Sequence, residues 1–163
     1  MQITCRKATA SDIPFMTSML LESCIASGVF IEPDKLHEFP DTEIYVKGWS
    51  EEKEFGIIAE TESGELVGAT WIRNLPGLGH SVNEQLPEIT IAVVSQYRKN
   101  GIAGELMNRL YKLSVKYGVS KLSLGVHRDN LPAINLYKKQ GWIKDGTFQD
   151  YIMMSRKITD IQE

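Results

Sequence analysis

The chain has few cysteines and histidines and no long apolar segment. Its 163 residues include two cysteines, Cys5 and Cys24, and three histidines. None forms a C-x-x-C pair or a Cys/His cluster with zinc spacing, so the sequence predicts no metal site. Two isolated thiols are typical of packing residues in a reduced cytoplasmic protein. Because no apolar run reaches about 18 residues, we expect no membrane-spanning helix.

An excess of charge of one sign is also missing. The formal net charge is -3, from 18 basic and 21 acidic residues, which gives no reason to expect a nucleic-acid or membrane partner. The first twelve residues, MQITCRKATASD, carry charge where a secretory signal needs an apolar stretch, so we expect a cytoplasmic location. No repeat or linker divides the chain, and the loop over 75–86 is short. We therefore predict one domain over residues 1–163.

The hydrophobic periodicity predicts the element order β, α, β, β, β, α, β, α, β, β. Ser11 or Asp12 is expected to cap the first helix, and the turn at Ser63-Gly64 predicts a hairpin. A short helix over 41–49 is a weaker prediction. The resulting fold class is α/β (α+β): a mixed, mostly antiparallel central sheet of about six to seven strands with helices on both faces. Strands are expected over 2–7, 55–60, 66–73, 88–94, 121–126, 142–144 and 148–158, and the other helices over 13–24, 102–117 and 131–140.

A glycine-rich turn follows the central strand, with the sequence QYRKNGIAG over 96–104. Gly101, Ala103 and Gly104 keep the backbone bare at a helix start, where free N–H groups and the helix dipole favour an anion. Arg98 and Lys99 add positive charge at the same end. The spacing matches neither a Walker loop nor the Rossmann G-x-G-x-x-G. By itself the turn is equally consistent with an ordinary helix start bearing solvated basic residues.

Two segments together resemble the GNAT acetyltransferase superfamily. Residues 98–103, RKNGIA, are similar to its R/Q-x-x-G-x-G/A motif. Residues 126–142, VHRDNLPAINLYKKQGW, resemble its second motif, V-x-x-x-N-x-x-A-x-x-L-Y-x-x-x-G-F, with Trp142 in place of Phe. Residues 150–156 resemble the closing strand. The resemblance covers nearly the whole chain, whereas residues 20–54 match nothing specific, as in the variable acceptor-binding part of the family.

The resemblance implies acetyl-CoA as co-substrate. In the family, backbone N–H groups of the turn bind the pyrophosphate. The preceding strand splays from its neighbour and leaves amides free for the pantetheine arm and the acetyl carbonyl. The implied cofactor-binding residues are Ile91, Val93, Val94, Arg98, Lys99, Asn100, Gly101, Ile102, Ala103, Gly104, Asn130, Ala133 and Tyr137. Asn130 has a second interpretation, as the N-cap of the last helix.

Two residues are the candidates for catalysis. Glu88 opens the central strand, where many members of the family place a carboxylate that acts on the amine; Glu84 and Glu32 are competitors, and an exposed acid at a strand start is the alternative. Tyr137 matches the tyrosine that protonates the departing sulfur in many members, although packing would also explain it. His127 is interpreted as a solvated loop residue, and Trp49 and Trp71 as core. The absence of G-x-S-x-G argues for direct transfer without an acyl-enzyme.

Three functions stay open at this stage. The first is an N-acetyltransferase for a small amine, polyamine, amino acid or drug-like acceptor. The second is a protein or peptide N-acetyltransferase, which would need an open groove between residues 25–50 and the loop over 75–86. The third is a CoA-binding module without catalysis, against which Glu88 and Tyr137 argue. A homodimer is an open alternative, because closing strands of this family often support dimers.

Overall fold

A computed structural model describes residues 2–74 and 86–159. In this part of the chain, seven strands form one sheet in the order β1-β2-β3-β4-β5-β7-β6. Every neighbouring pair is antiparallel except β4 and β5, which are parallel. The element bounds are β1 Ile3–Lys7, α1 Ile13–Ala26, α2 Pro40–Glu43, β2 Gly56–Thr61, β3 Leu66–Arg73, β4 Glu88–Val93, α3 Ile102–Lys116, β5 Lys121–His127, α4 Leu131–Lys139, β6 Ile143–Phe148 and β7 Tyr151–Lys157. The predicted mixed, mostly antiparallel sheet is confirmed.

The parallel strands β4 and β5 separate soon after they meet. Their register contains a single pair, Glu88 with Ser123, next to a hydrogen bond of 2.9 Å from the Ser123 N–H to the Pro87 carbonyl oxygen. By contrast, β3 and β4 are paired from Gly68–Val93 to Arg73–Glu88, and β5 pairs with β7 over seven residues. The sheet therefore has a wedge-shaped gap in its middle, and Glu88 lies at the closed end of that gap.

Helices cover both faces of the sheet, as predicted. The core on one face consists of α1 and the segment after it, with Met16, Leu20, Trp49 and Trp71 all nearly inaccessible to solvent. On the other face, α3 and α4 pack against alternate residues of the strands, Ile89 among them. Since side chains alternate along a strand, Glu88 points to the α1 face and Ile89 to the α3 face.

Three local predictions needed correction. The helix expected over 41–49 is only Pro40–Glu43, followed by turns that end at Gly48, whose φ is 73°. Asp12 precedes α1 as expected but does not cap it, because its carboxylate accepts from the Thr9 N–H and from Arg6. The closing pair expected over 142–144 and 148–158 is instead Ile143–Phe148 and Tyr151–Lys157. Trp142 therefore lies before β6, and its Nε1 donates to the Tyr111 hydroxyl over 2.8 Å.

The described residues contain no helix with the length and hydropathy needed to cross a bilayer. Most of the loop predicted over 75–86, and Glu84 within it, lies outside the described residues.

Candidate active site

The glycine-rich turn at the start of α3 leaves its amides accessible. Gly101 adopts a left-handed φ of 77°, and α3 begins at Ile102, so the first three N–H groups of the helix have no acceptor within it. The fourth, of Glu105, donates to the Gly101 carbonyl oxygen over 3.1 Å. A Cβ atom built on Gly101 or on Gly104 would meet nothing within 4 Å. This cradle is open, and it fits a diphosphate group because free amides and a positive dipole end favour an anion.

The polar side chains of the turn mostly stabilise its conformation. The Nε of Arg98 donates to the Val93 carbonyl oxygen over 3.1 Å, and an Nη of Arg98 lies 3.2 Å from the Glu22 carboxylate of α1. The Asn100 amide donates to the carbonyl oxygens of Tyr97 and Arg98. Arg98 and Asn100 therefore stabilise the conformation of the cradle, and the groups that can bind an anion are its open backbone amides.

Gly101 and Gly118 allow a matched test of the cradle. Both are left-handed glycines at opposite ends of α3, with φ of 77° and 74°, and neither would place a Cβ against another atom. We expect Gly101→Ala and Gly118→Ala to lower the free energy of unfolding by a similar amount, about 1 kcal/mol, because both force a left-handed alanine. Only Gly101→Ala should raise the Kd for CoA, by about tenfold, in calorimetric titration. Equal CoA affinity in the two variants would contradict the assignment of the cradle.

The backbone of β4 presents alternate amides to the gap. The Val94 N–H donates to the Val67 carbonyl oxygen over 2.8 Å, so the expectation of a free amide at Val94 was wrong. In an antiparallel ladder the N–H groups alternate in direction, which turns those of Ile91 and Val93 away from β3 and toward the gap. The Val93 carbonyl oxygen faces the same way, since it accepts from Arg98. Ile91 and Val93 therefore remain candidates for contacting an extended ligand.

Glu88 is a buried carboxylate at the closed end of the gap. Only 3% of the residue is exposed, and burial raises its pKa to about 7. The Tyr45 hydroxyl partly opposes this rise because it hydrogen-bonds the charged form. Oε1 lies 3.7 Å from where a Cβ on Gly125 would be, so the glycine on β5 leaves room for the carboxyl group. A carboxyl group that is half ionised near neutral pH is suited to accept a proton from an amine.

Tyr45 is a functional candidate that the sequence did not reveal. It lies in the segment before β2 that matches no motif, and no local pattern distinguishes it. The Nε1 of the fully buried Trp71 donates to the Tyr45 carbonyl oxygen over 2.8 Å and fixes this segment over the sheet. Burial and the nearby Glu88 raise the pKa of the Tyr45 hydroxyl, so it stays protonated and can donate to the carboxylate.

Removal of the Tyr45 hydroxyl should therefore change the pH dependence of the reaction. Tyr45 favours the charged form of Glu88, so Tyr45→Phe is expected to raise the pKa of that carboxyl group. If the deprotonated form is the active one, the acid limb of the kcat/KM profile moves to higher pH, by about half a unit to one unit. The loss of activity will be larger at pH 6 than at pH 9. Tyr111→Phe is the control, because its hydroxyl lies on the opposite face of the sheet, bonded to Trp142 and Gln140, and should not affect that limb. An unshifted limb in Tyr45→Phe would separate Tyr45 from Glu88.

Two further aromatic side chains lie on the same face as Glu88. His127 is the last residue of β5, pairs in register with Tyr151 of β7, and packs edge-on against it at 5.6 Å. Its side chain is only 18% exposed, so the interpretation of His127 as a solvated loop residue was wrong. The Tyr45 hydroxyl is near enough to Tyr151 for electrostatic contact. These residues extend the Glu88 site toward the closing strands.

Tyr137 and Asn130 lie at α4, on the opposite face from Glu88. The Tyr137 ring is buried against Trp142, with 6.0 Å between ring centroids, and burial raises the pKa of its hydroxyl to about 12. At neutral pH this hydroxyl is therefore a donor. The Asn130 side chain accepts from the Ala133 N–H over 3.4 Å, which is the predicted N-cap. Ala133 is half-buried beside the core.

The remaining candidates give no competing site. Glu32 is largely exposed and lies 3.7 Å from Lys35, which favours the buried Glu88 as the base. Trp49 and Trp71 are core residues, as predicted, with Trp49 Nε1 donating to the Ile72 carbonyl oxygen. Within residues 2–74 and 86–159, no group of three or more His, Cys, Asp or Glu side chains could hold a metal ion.

Comparison with known sequences identifies relatives of part of the chain. An N-alpha-acetyltransferase of Sulfurisphaera tokodaii is 37% identical over 94 residues, which cover 53% of this chain and 54% of the relative. An L-amino acid N-acetyltransferase of Escherichia coli K12 is 32% identical over 71 residues, or 43% of this chain and 44% of the relative. The chain thus spans about half the length of these relatives.

Solved structures share the fold over nearly the whole chain. PaiA N-acetyltransferase from Thermoplasma acidophilum, in complex with coenzyme A, superposes with a TM-score of 0.72 at 20% identity, over 96% of this chain and 99% of that one. A phosphinothricin acetyltransferase from Sinorhizobium meliloti, in complex with AcCoA, has a TM-score of 0.68 at 17% identity, over 97% and 89%. A profile of the Acetyltransferase (GNAT) family matches residues 22–142, well over half of the chain. The chain belongs to the GNAT acetyltransferase family.

Proposed function

We propose that this protein transfers the acetyl group of acetyl-CoA directly to the amine of a small molecule. The observation that carries the proposal is Glu88, a buried carboxylate with a pKa of about 7 at the closed end of a gap that leads to an open amide cradle. The two partial relatives are both named N-acetyltransferases, which supports the same chemistry. Acetyl-CoA supplies an activated thioester when it is bound.

Each group of the site has a defined role in this proposal. The N–H groups at the start of α3 bind the diphosphate of acetyl-CoA, and Arg98 stabilises the conformation of the turn. The backbone amides of Ile91 and Val93 donate hydrogen bonds to the pantetheine arm and to the acetyl oxygen, which gains negative charge in the transition state. Glu88 takes the proton that the ammonium group must lose before its lone pair can form the C–N bond. As the C–S bond breaks, Tyr137 donates a hydrogen bond to the sulfur across the gap. The second proton that the nitrogen loses in forming the amide passes to this sulfur, so that CoA leaves as the thiol.

An acetyltransferase for peptide N-termini is the second candidate. One observation favours it: the relative from Sulfurisphaera tokodaii is named an N-alpha-acetyltransferase and is the more similar of the two in sequence. The same Glu88 would serve a peptide amine, so the two candidates differ in acceptor and not in mechanism.

A thiol-release assay tests the proposal and separates the candidates. The protein is incubated with acetyl-CoA and a panel of polyamines, amino acids, amino-acid amides and short peptides, and Glu88→Gln is run in parallel. We expect turnover with at least one small amine and almost none in the variant. Preference for peptides over every small amine would favour the second candidate. CoA binding without turnover on any acceptor would support a binding module and overturn the proposal.

A further inference from the structure

Two oppositely charged residues face each other at the end of the β3–β4 ladder. Arg73 and Glu88 are register partners, so their side chains lie on the same face of the sheet with Cβ atoms about 5 Å apart. Both are almost completely buried, with 2% and 3% of each residue exposed. The two side chains nevertheless do not pair with each other. The guanidinium group of Arg73 faces the Glu54 carboxylate, and the Glu88 carboxylate faces the Tyr45 hydroxyl.

Both side chains keep polar atoms without a partner. The Nε and Nη1 of Arg73 and the Oε2 of Glu88 have no hydrogen bond in the described structure. Glu54 does not satisfy the hydrogen-bond donors of Arg73. One carboxylate oxygen of Glu54 lies 3.3 Å from the Arg73 Nε, while the other accepts from the Asn74 N–H over 2.6 Å. Guanidinium has five N–H donors. An unsatisfied buried polar group is destabilising, so unpartnered groups of opposite charge on neighbouring strands need an explanation.

A purely structural role explains only part of this arrangement. The contact between Glu54 and Arg73 ties the segment before β2 to the end of β3, which accounts for the orientation of Nε. It leaves Nη1 of Arg73 and Oε2 of Glu88 without partners. A small molecule that carries an amine and a carboxylate would satisfy both, because its carboxylate can accept from the guanidinium group while its amine faces Glu88.

We propose that the acceptor is an amino acid, and that Arg73 is the residue that binds its carboxylate. This inference rests on the proposed function, since Glu88 must receive the amine proton. Arg73 sets the specificity: an acceptor without the carboxylate leaves the guanidinium group unpaired in a buried place, which weakens both binding and transition-state stabilisation. The Escherichia coli relative is named for L-amino acids, which agrees with this acceptor class.

The test compares each amino acid with its own amide, which differs only at the group that Arg73 would bind. Initial rates of thiol release give kcat/KM for both acceptors of each pair. We expect wild-type protein to prefer the free acid by tenfold or more. In Arg73→Gln that preference ratio should fall by tenfold or more, and Arg73→Lys should retain part of it. Glu54→Gln, which removes the structural partner and keeps the guanidinium group, should preserve the preference.

Specific results would overturn the assignment of Arg73. Equal rates for acid and amide in wild-type protein, or an unchanged ratio in a folded Arg73→Gln variant, would do so. Should that variant not fold, wild-type protein with CoA is titrated with acid and with amide while its melting temperature is followed. Stabilisation by the acid alone supports the proposal, and equal stabilisation by both overturns it. If no amine is acetylated at all, the proposed acetyltransferase function is wrong. If amines are acetylated without a preference for the free acid, only the role of Arg73 is wrong.

Discussion

Glu88→Gln is expected to lower kcat/KM at pH 8 by about a hundredfold to ten-thousandfold, the usual contribution of a general base. The amide keeps the shape of the side chain and cannot accept the proton of the amine. Because Glu88 lies at the closed end of the gap and the cradle is at the start of α3, the Kd for CoA should stay within about twofold. The wild-type acid limb of the pH profile should have its midpoint near pH 7 and should vanish in the variant.

The same substitution should stabilise the protein above neutral pH. The pKa of Glu88 is about 7 when folded and 4.5 as the ordinary value, so the folded state binds the extra proton between these pH values. Stability therefore falls as the pH rises through this window, and the full cost, on the order of 3 kcal/mol, is present above it. Glutamine has no charge to desolvate. Denaturant unfolding at pH 8 should show Glu88→Gln to be more stable than wild-type protein.

Glu54→Gln is the matched control for that stability measurement. Glu54 is equally buried, but its carboxylate faces Arg73 at 3.3 Å. Its neutralisation leaves a buried guanidinium group without a counter-charge, so the variant should be destabilised. A destabilised Glu88→Gln, or one with wild-type kcat/KM, would show that Glu88 is an ordinary structural carboxylate.

The elements that the sequence predicted correctly are those with a strong local signal. The central strand and α3 follow from a β-branched run and from apolar residues at helical spacing, and the open turn at the start of α3 follows from Gly101 and Gly104, which lie three residues apart. The segment after α1 was predicted less well because its short turns are held by distant partners. The contact of Trp71 with the Tyr45 carbonyl, for example, spans 26 residues.

Cross-strand register explains most of what the sequence left out. Which amides of β4 face the gap depends on the pairing with β3, and a shift of one residue would exchange Val94 for Val93. The position of Arg73 opposite Glu88 depends on the same register. Tyr45 reaches Glu88 only because α1 and the following segment cover that face of the sheet. No local pattern could have predicted these three placements.

Tyr137→Phe is expected to lower kcat by about tenfold to a thousandfold with little change in the Kd for CoA. The pKa of the Tyr137 hydroxyl is raised to about 12, whereas a thiol ordinarily has a pKa of about 8.5. Full transfer of the proton to the departing sulfur is therefore uphill by about 5 kcal/mol. We expect Tyr137 to act by donating a hydrogen bond that strengthens as the sulfur gains negative charge, and not by complete protonation.

This role predicts a kinetic signature that packing alone would not produce. Tyr137→Phe keeps the ring and its contact with Trp142, so its melting temperature should stay close to that of wild-type protein. Tyr111→Phe is the control: it removes the hydroxyl that accepts from Trp142 Nε1, so it should lower stability and leave kcat nearly unchanged. Stopped-flow thiol release would measure the chemical step directly. Equal rates of thiol release in Tyr137→Phe and wild-type protein would show that the Tyr137 hydroxyl does not assist the departure of the sulfur.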